Sequence, residues 1–188
     1  MGQDPITLII SLVGGIFSFI LLMRFALQLS QADYYNPISQ SVVRFTQPVV
    51  APLQKALKPK GRLDFATLLM ALLVKAVTVF LLLQFSPLFA PAVVDGINPV
   101  HVLIYASAGV LDTILEIYFW ALLGAVIISW VSPDSYHPAP QLLLQLTEPL
   151  FRLSRKVIPP IGELDLSPIL IIILIQIVQG FLRPFVIV

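Results

Sequence analysis

The sequence predicts an all-α membrane protein: four transmembrane helices set out as two parallel repeats, each a span, a pair of amphipathic interfacial helices and a second span. Three observations predict it. Hydrophobic residues make up 58% of the 188 residues and charged residues 11%, with a mean hydropathy of +0.95, whereas a soluble domain carries roughly 25% charged residues. Such a chain cannot cover its own surface with polar groups. Four apolar blocks are each long enough to cross ~30 Å of hydrocarbon, which takes ~20 helical residues. Finally, a basic, proline-marked stretch that begins at Thr46 returns at Thr147, once in each half.

The first block, Ile6–Leu29, has no basic residue before it, too long an apolar run for a cleavable signal, and no small-residue cleavage site after it. It reads as a retained helix. The second block is Phe65–Phe85 and the third roughly Val110–Val131. The third can begin as early as Val102, where a longer helix would tilt or project outward. The fourth runs from Leu166 to the C-terminus, and the repeats divide as 1–100 and 101–188. Of eleven Lys and Arg, five lie between the first two spans (Arg44, Lys55, Lys58, Lys60, Arg62) and three between the last two (Arg152, Arg155, Lys156). Met1–Pro5 and Ser86–His101 hold none. Positive loops stay in the cytoplasm, so the connectors are expected inside and both termini outside, in a bacterial inner membrane.

The connectors, 37–60 and 138–161, carry apolar residues at helical spacing. In the first these are Ile38, Val42, Phe45, Val49, Leu53 and Leu57; in the second, Leu142, Leu146, Leu150, Leu153 and Val157. Gln, Arg and Lys fall between them, the pattern of a helix lying on a membrane surface. Pro48 clashes with the carbonyl four residues back in a continuous helix. Two residues after Thr46, it suits the first turn of a new helix that Thr46 caps. Each connector is therefore expected to be two short helices broken at Thr46-x-Pro48 or Thr147-x-Pro149. Pro59 and Gly61 stop the second helix of the first pair. Asp64 and Asp165 are expected to cap the returning spans. Lys55, Lys58, Lys60, Arg62, Arg152, Arg155 and Lys156 are placed to reach anionic lipid headgroups, each contributing ~1 kcal/mol.

Without gaps, Asp33–Asp64 matches Asp134–Asp165 at 11 of 32 positions, among them Thr46/Thr147, Pro48/Pro149, Pro59/Pro160, Gly61/Gly162 and Asp64/Asp165. Only one match is aliphatic, so shared greasiness does not explain the likeness. Each unit has an even number of spans, so the copies share one orientation and an axis along the membrane normal. The pattern T-x-P, a basic residue, proline, glycine and D-x-S-P resembles the YggT family of small bacterial and plastid membrane proteins. The second copy fits with Thr147, Pro149, Arg155, Pro160, Gly162 and Asp165-Leu166-Ser167-Pro168. The first departs at Asp64-Phe65-Ala66-Thr67, and the second has Leu153 where the first has Pro52. The resemblance implies two tandem repeats. It brings associations with osmotic tolerance in bacteria, and with cell division, nucleoid organisation or cytochrome assembly in other branches, but no catalytic residues.

Intramembrane polar groups are functional candidates because burying them costs energy. Lys75 sits ten residues into the second span, and its repeat equivalent is Gln176; one turn on, Thr78 corresponds to Gln179. Two-fold packing is expected to bring these faces together or set them around a centre, as interhelical glue at ~0.6–2 kcal/mol per bond or as a polar pathway. Asp112 and Glu116 are expected at outer headgroups or water, with pairing of Glu116 to Lys75 as the alternative. Arg24 and Arg183 are within snorkelling reach of a surface. Small residues (Ala121, Ala125 and Ser129; Gly14 and Ser18) mark close helix contacts, and Trp130, Tyr34, Tyr35 and Tyr136 an aromatic belt. Cysteine is absent, which excludes disulfides and thiolate chemistry. His101 and His137 fall on opposite sides of the expected membrane. Nothing in the chain calls for a metal or cofactor, and no nucleic-acid contact is inferred directly.

The leading reading is a non-enzymatic scaffold or assembly factor in the inner membrane. Its partners would be anionic lipids together with a protein or further copies of itself. The alternative is a small channel or transporter element acting as a homo-oligomer. The charge bias gives a direct test of orientation. Single cysteines at Asn98 and Lys58 should differ towards an impermeant thiol reagent on cells stripped of outer membrane: Asn98→Cys labels and Lys58→Cys does not.

Overall fold

The computed structural model describes residues 4–86, 97–131, 137–156 and 167–187. Among the described residues six helices follow in chain order: α1 (Pro5–Leu29), α2 (Pro37–Ala56), α3 (Phe65–Phe85), α4 (Pro99–Val131), α5 (Pro138–Ser154) and α6 (Ser167–Leu182), the last continued by a 3₁₀ turn at Arg183–Phe185. α1, α3, α4 and α6 with its 3₁₀ turn are long and apolar enough to cross a membrane. The third of these starts at Pro99, earlier than the apolar run from Val110; at 33 residues it is ~50 Å long, well beyond a hydrocarbon core.

The connectors are not broken in two. α2 runs continuously through Pro48 and Pro52, and α5 through Pro149. A proline inside a helix removes one backbone bond and costs ~3 kcal/mol, so tertiary packing must hold these helices together. Pro48 and Pro52 both lie on the exposed side of α2, where the carbonyls they free are open to solvent or headgroups. Thr46 is accordingly no cap: it is fully buried in mid-helix, and its hydroxyl donates to the Val42 carbonyl at 2.7 Å. Thr147 does the same to Leu143 at 2.9 Å.

The turns that flank these helices follow local chemistry more closely. α1 ends with Gln31 in the left-handed region (φ 54°), and the Ala32 N–H donates to the Leu27 carbonyl at 2.9 Å, the closing bond of a Schellman turn. α2 is followed by a tight turn in which Lys60 and Leu63 exchange backbone bonds around Gly61 (φ 59°), a conformation that favours glycine. Asp64 caps α3 as expected, accepting from the Thr67 N–H at 3.1 Å.

The core lies at the connector end of the bundle. Leu21, Leu22 and Ala26 of α1 meet Ala66 and Ala71 of α3, Ile117, Tyr118, Ala121 and Leu122 of α4, Val50 of α2, Leu142 and Leu146 of α5, and Ile171 and Ile175 of α6. A smaller cluster of Val79, Leu83 and Val102 closes α3 on α4 at the far end. The two repeats are not packed alike. α3 lies against both α1 and α4, while α6 packs chiefly on α4; 44% of the apolar window of α3 is buried inside the protein but only 11% of that of the last span.

Small residues set the tightest approach. A Cβ built on Gly14 would overlap the Thr78 hydroxyl and lie 2.9 Å from the Thr78 Cβ, whereas one on Gly15 meets nothing within 4 Å. Gly14→Ala should therefore force α1 from α3 and destabilise the purified protein by about 1–3 kcal/mol. Gly15→Ala should leave its melting temperature in mild detergent unchanged or slightly raised.

Candidate functional site

Polar side chains gather in two places: where the connectors dock on the spans, and midway along α3, α4 and α6. At the first, Arg24 turns inward from the last turns of α1 and is 6% exposed. Its guanidinium does not snorkel to a surface. It donates to Thr46 Oγ1 at 2.9 Å and Gln47 Oε1 at 2.8 Å, tying α1 to α2. From α2, Gln54 donates to Asp64 Oδ2 at 2.7 Å, and the Thr67 hydroxyl donates to the same oxygen at 2.6 Å. Thr67 is one of the two residues, with Ala66, at which the first repeat departs from D-x-S-P, and here it completes the cap.

The apolar stripe of α2 only borders the side that docks, with Val42 and Leu53 packed against the core. Ser39, Thr46 and Val50 are buried, while Ile38, Phe45 and Leu57 are exposed, and Phe45 meets Phe17 edge-on at 6.3 Å. At 100° per residue the docked side is roughly a quarter-turn from the stripe. In α5 the two sides overlap more, with Leu142 and Leu146 buried and Leu153 exposed. Across the repeats, Asp33 N–H donates to Gln145 Oε1 (2.8 Å), Asn36 Nδ2 to the Pro138 carbonyl (2.8 Å) and Ser30 to the Leu146 carbonyl (3.1 Å). Tyr118 of α4 lies 3.3 Å from Ser30 Oγ. These side chains stitch the halves together at the connector end.

At the second place the equivalent residues diverge. Lys75 is 3% exposed and reaches α4 beside Gly109, whose added Cβ would lie 3.8 Å from the ammonium nitrogen. The carboxylates acting on it are Asp112 first and Glu116 second. Gln176, its repeat equivalent, is exposed and 3.4 Å from Gln179, which donates to Asp112 Oδ1 at 3.1 Å. So Lys75 and Gln176 do not meet, nor do they sit in like surroundings; α4 stands between them. Thr78 instead packs on Gly14 within its own repeat. Asp112 is half-buried and bonded between helices, while Glu116 is exposed. A cleft of about 410 Å³ is bordered by Asp112, Glu116, Gln176, Gln179 and Arg183.

Of the predicted headgroup residues, Lys55, Lys58, Lys60, Arg62, Arg152, Arg155 and Lys156 are all exposed. Arg152 lies 3.9 Å from Glu148, and Arg155 sits over the Phe151 ring at 5.7 Å. Pro59 is exposed beside the Gly61 turn. Tyr136, Val157, Pro160, Gly162, Asp165 and Leu166 lie outside the described residues.

The arrangement of two like units, each a span, a docked proline-bearing helix and a returning span, has a counterpart among known sequences. The CCB3/YggT profile matches residues 3–85 and again 104–186. The chain belongs to the CCB3/YggT family. It is 37% identical over 173 residues to an uncharacterised protein of Pseudomonas aeruginosa, covering 91% of this chain and 84% of that one. It is 33% identical over 180 residues to the uncharacterised protein YggT of Escherichia coli K12, covering 94% and 88%. With an uncharacterised protein of Vibrio alginolyticus the identity is 35% over 175 residues, covering 93% and 91%. No solved structure matches it significantly.

Within this CCB3/YggT chain, sequence reasoning missed Arg24, Gln54, Asn36 and Tyr118 as structural ties. Arg24 carried the clearest signal, as a cation six residues inside the end of an apolar span. Its repeat position is Ala125, which is 2% exposed, so the anchor belongs to the first repeat alone. Removing the Asp64 carboxylate strands three donors on two helices. Asp64→Ala should therefore lower stability by on the order of 1–3 kcal/mol, read as a lower melting temperature and faster proteolysis between α2 and α3.

Proposed function

We propose that the protein is a non-enzymatic organiser of the bacterial inner membrane, presenting its two docked connector helices at the cytoplasmic face to anionic lipid and a protein partner. The connector end supports this reading. α2 and α5 meet there at their N-terminal ends, all seven predicted headgroup cations are exposed, and Tyr35 and Trp130 are 82% and 81% exposed. Ile38, Phe45 and Leu57 along α2, and Leu144 and Leu153 along α5, leave an apolar flank beside the basic one, the pairing that holds a helix in a headgroup layer. Both termini then face the periplasm. Relatives of bacterial origin fit this setting, and the osmotic or envelope association implied by the resemblance is the process in which a phenotype is expected.

A second reading is a homo-oligomeric channel or transporter element. It draws on the intramembrane cleft beside Asp112, Glu116 and Arg183, since ionisable groups at that depth mark solute paths more often than surface ones do.

Affinity isolation of the full chain from native membranes in mild detergent should yield a stoichiometric protein partner. That partner should be lost when Arg152, Arg155 and Lys156 are replaced by Gln, and when Tyr35 and Trp130 are replaced by Ala. Lys75→Met should remain in the membrane and support growth under osmotic stress like the parent. A clean homo-oligomer, with Lys75→Met stable but inactive, would move the assignment to the transport reading.

A further inference from the structure

A second, larger cleft opens at the connector end, between the last turns of α1 and the polar side of α2. It encloses about 1060 Å³, and its polar wall is formed by Arg24, Ser39, Gln40, Arg44, Gln47 and Gln54. No carboxylate is among the described residues that line it. Two buried groups face it with hydrogen-bonding capacity left over. The Arg24 guanidinium has five N–H donors, and its side-chain bonds use two nitrogens on neutral oxygens, those of Thr46 and Gln47. Among the described residues no carboxylate lies within ion-pair distance of it. Asp64 acts on it electrostatically, but that carboxylate is already taken by Gln54 and Thr67. The Ser39 hydroxyl is 4% exposed and has no hydrogen-bond partner.

An unneutralised buried cation and an unpaired buried hydroxyl are each costly. Here both border one cavity, with Arg44 exposed at its rim. The ligand that satisfies all three is an anion with several acceptor oxygens. Guanidinium groups match phosphate in particular, through charge-assisted and often bidentate bonds. The rest of the wall, including Leu27, Val43 and Ala51, is apolar and suits the carbon skeleton of an ester.

We propose that the cleft between α1 and α2 binds one phosphate ester, held by Arg24 and Ser39 inside and Arg44 at the rim. A phospholipid headgroup and a soluble phosphate ester share this chemistry. The site goes beyond the organiser reading: it concerns one stoichiometric ligand in a cleft, where the exposed cations of the connectors meet the headgroup layer as a whole.

The test is native mass spectrometry of the full chain released from nanodiscs of phosphatidylglycerol or of phosphatidylcholine, with glycerol 3-phosphate as the soluble probe. One phosphatidylglycerol per chain should be retained, and phosphatidylcholine, whose phosphodiester is the same but whose choline cation would meet the Arg44 guanidinium at the rim, should be retained more weakly. Arg24→Gln should weaken retention about tenfold or more, as expected for loss of a charge-assisted bond, and Arg44→Gln about threefold to tenfold. Lys55→Gln and Lys58→Gln, outside the cleft wall, should leave it unchanged. Ser39→Ala guards against a folding artefact, since deleting an unpaired hydroxyl should not lower the melting temperature yet should weaken retention severalfold. Displacement of the lipid by glycerol 3-phosphate, with the same Arg24 dependence, would identify a soluble ester as the ligand; resistance to it identifies the headgroup. Equal retention of both lipids, or retention of phosphatidylglycerol unchanged in Arg24→Gln and Ser39→Ala, would overturn the proposal. Partner capture plays no part in this readout, so either reading can fail without the other.

Discussion

A guanidinium near the end of an apolar span must find acceptors, and the partners Arg24 finds are on a different helix. By bonding to Thr46 and Gln47 it fixes α2 against α1, and Gln54 then fixes the same helix against the cap of α3 through Asp64. α2 contains two interior prolines and would be a poor helix alone. Its continuity depends on being held along its length. In lipid there is little hydrophobic drive between helices, so polar ties of this kind, together with close packing such as that of Thr78 on Gly14, set the arrangement.

The same constraint accounts for where the protein is dense and where it is open. The buried apolar residues concentrate at the connector end, where both connector helices add surface to the bundle and Ser30, Asp33 and Asn36 join the repeats. Farther along, α1 exposes Ile6, Ile9, Leu12, Val13 and Ile16. These side chains gain as much from lipid tails as from another helix, so nothing there compels tight association.

Duplication makes the departures informative. Arg24 corresponds to Ala125, Lys75 to Gln176, and Thr78 to Gln179. The first repeat ties Arg24 to α2, Lys75 to α4 and Thr78 to Gly14 of α1, whereas Ala125 is buried without a polar tie and Gln179 bonds to Asp112. The second repeat leaves Gln176 exposed on a helix that packs chiefly on α4. The two like units thus differ in packing, one more enclosed and the other more open.

The sequence by itself determined the helical class, the four apolar spans, the proline-marked connectors and the Asp64 cap, because composition, run length and capping are local properties. It misplaced what depends on neighbours. Thr46-x-Pro48 reads as a break because a proline interior is costly, yet docking outweighs that cost and keeps α2 whole. The stripe through Ile38 and Phe45 reads as the membrane-facing side, and both residues are exposed, but the helix has another side, through Ser39, Thr46 and Val50, that is buried against the bundle. Apolar periodicity does not mark that second side. Repeat symmetry placed Lys75 and Gln176 in like surroundings, and only the tertiary structure set α4 between them. Burial is fixed by which helix arrives alongside, and that is decided by packing across the whole bundle rather than by spacing along one segment.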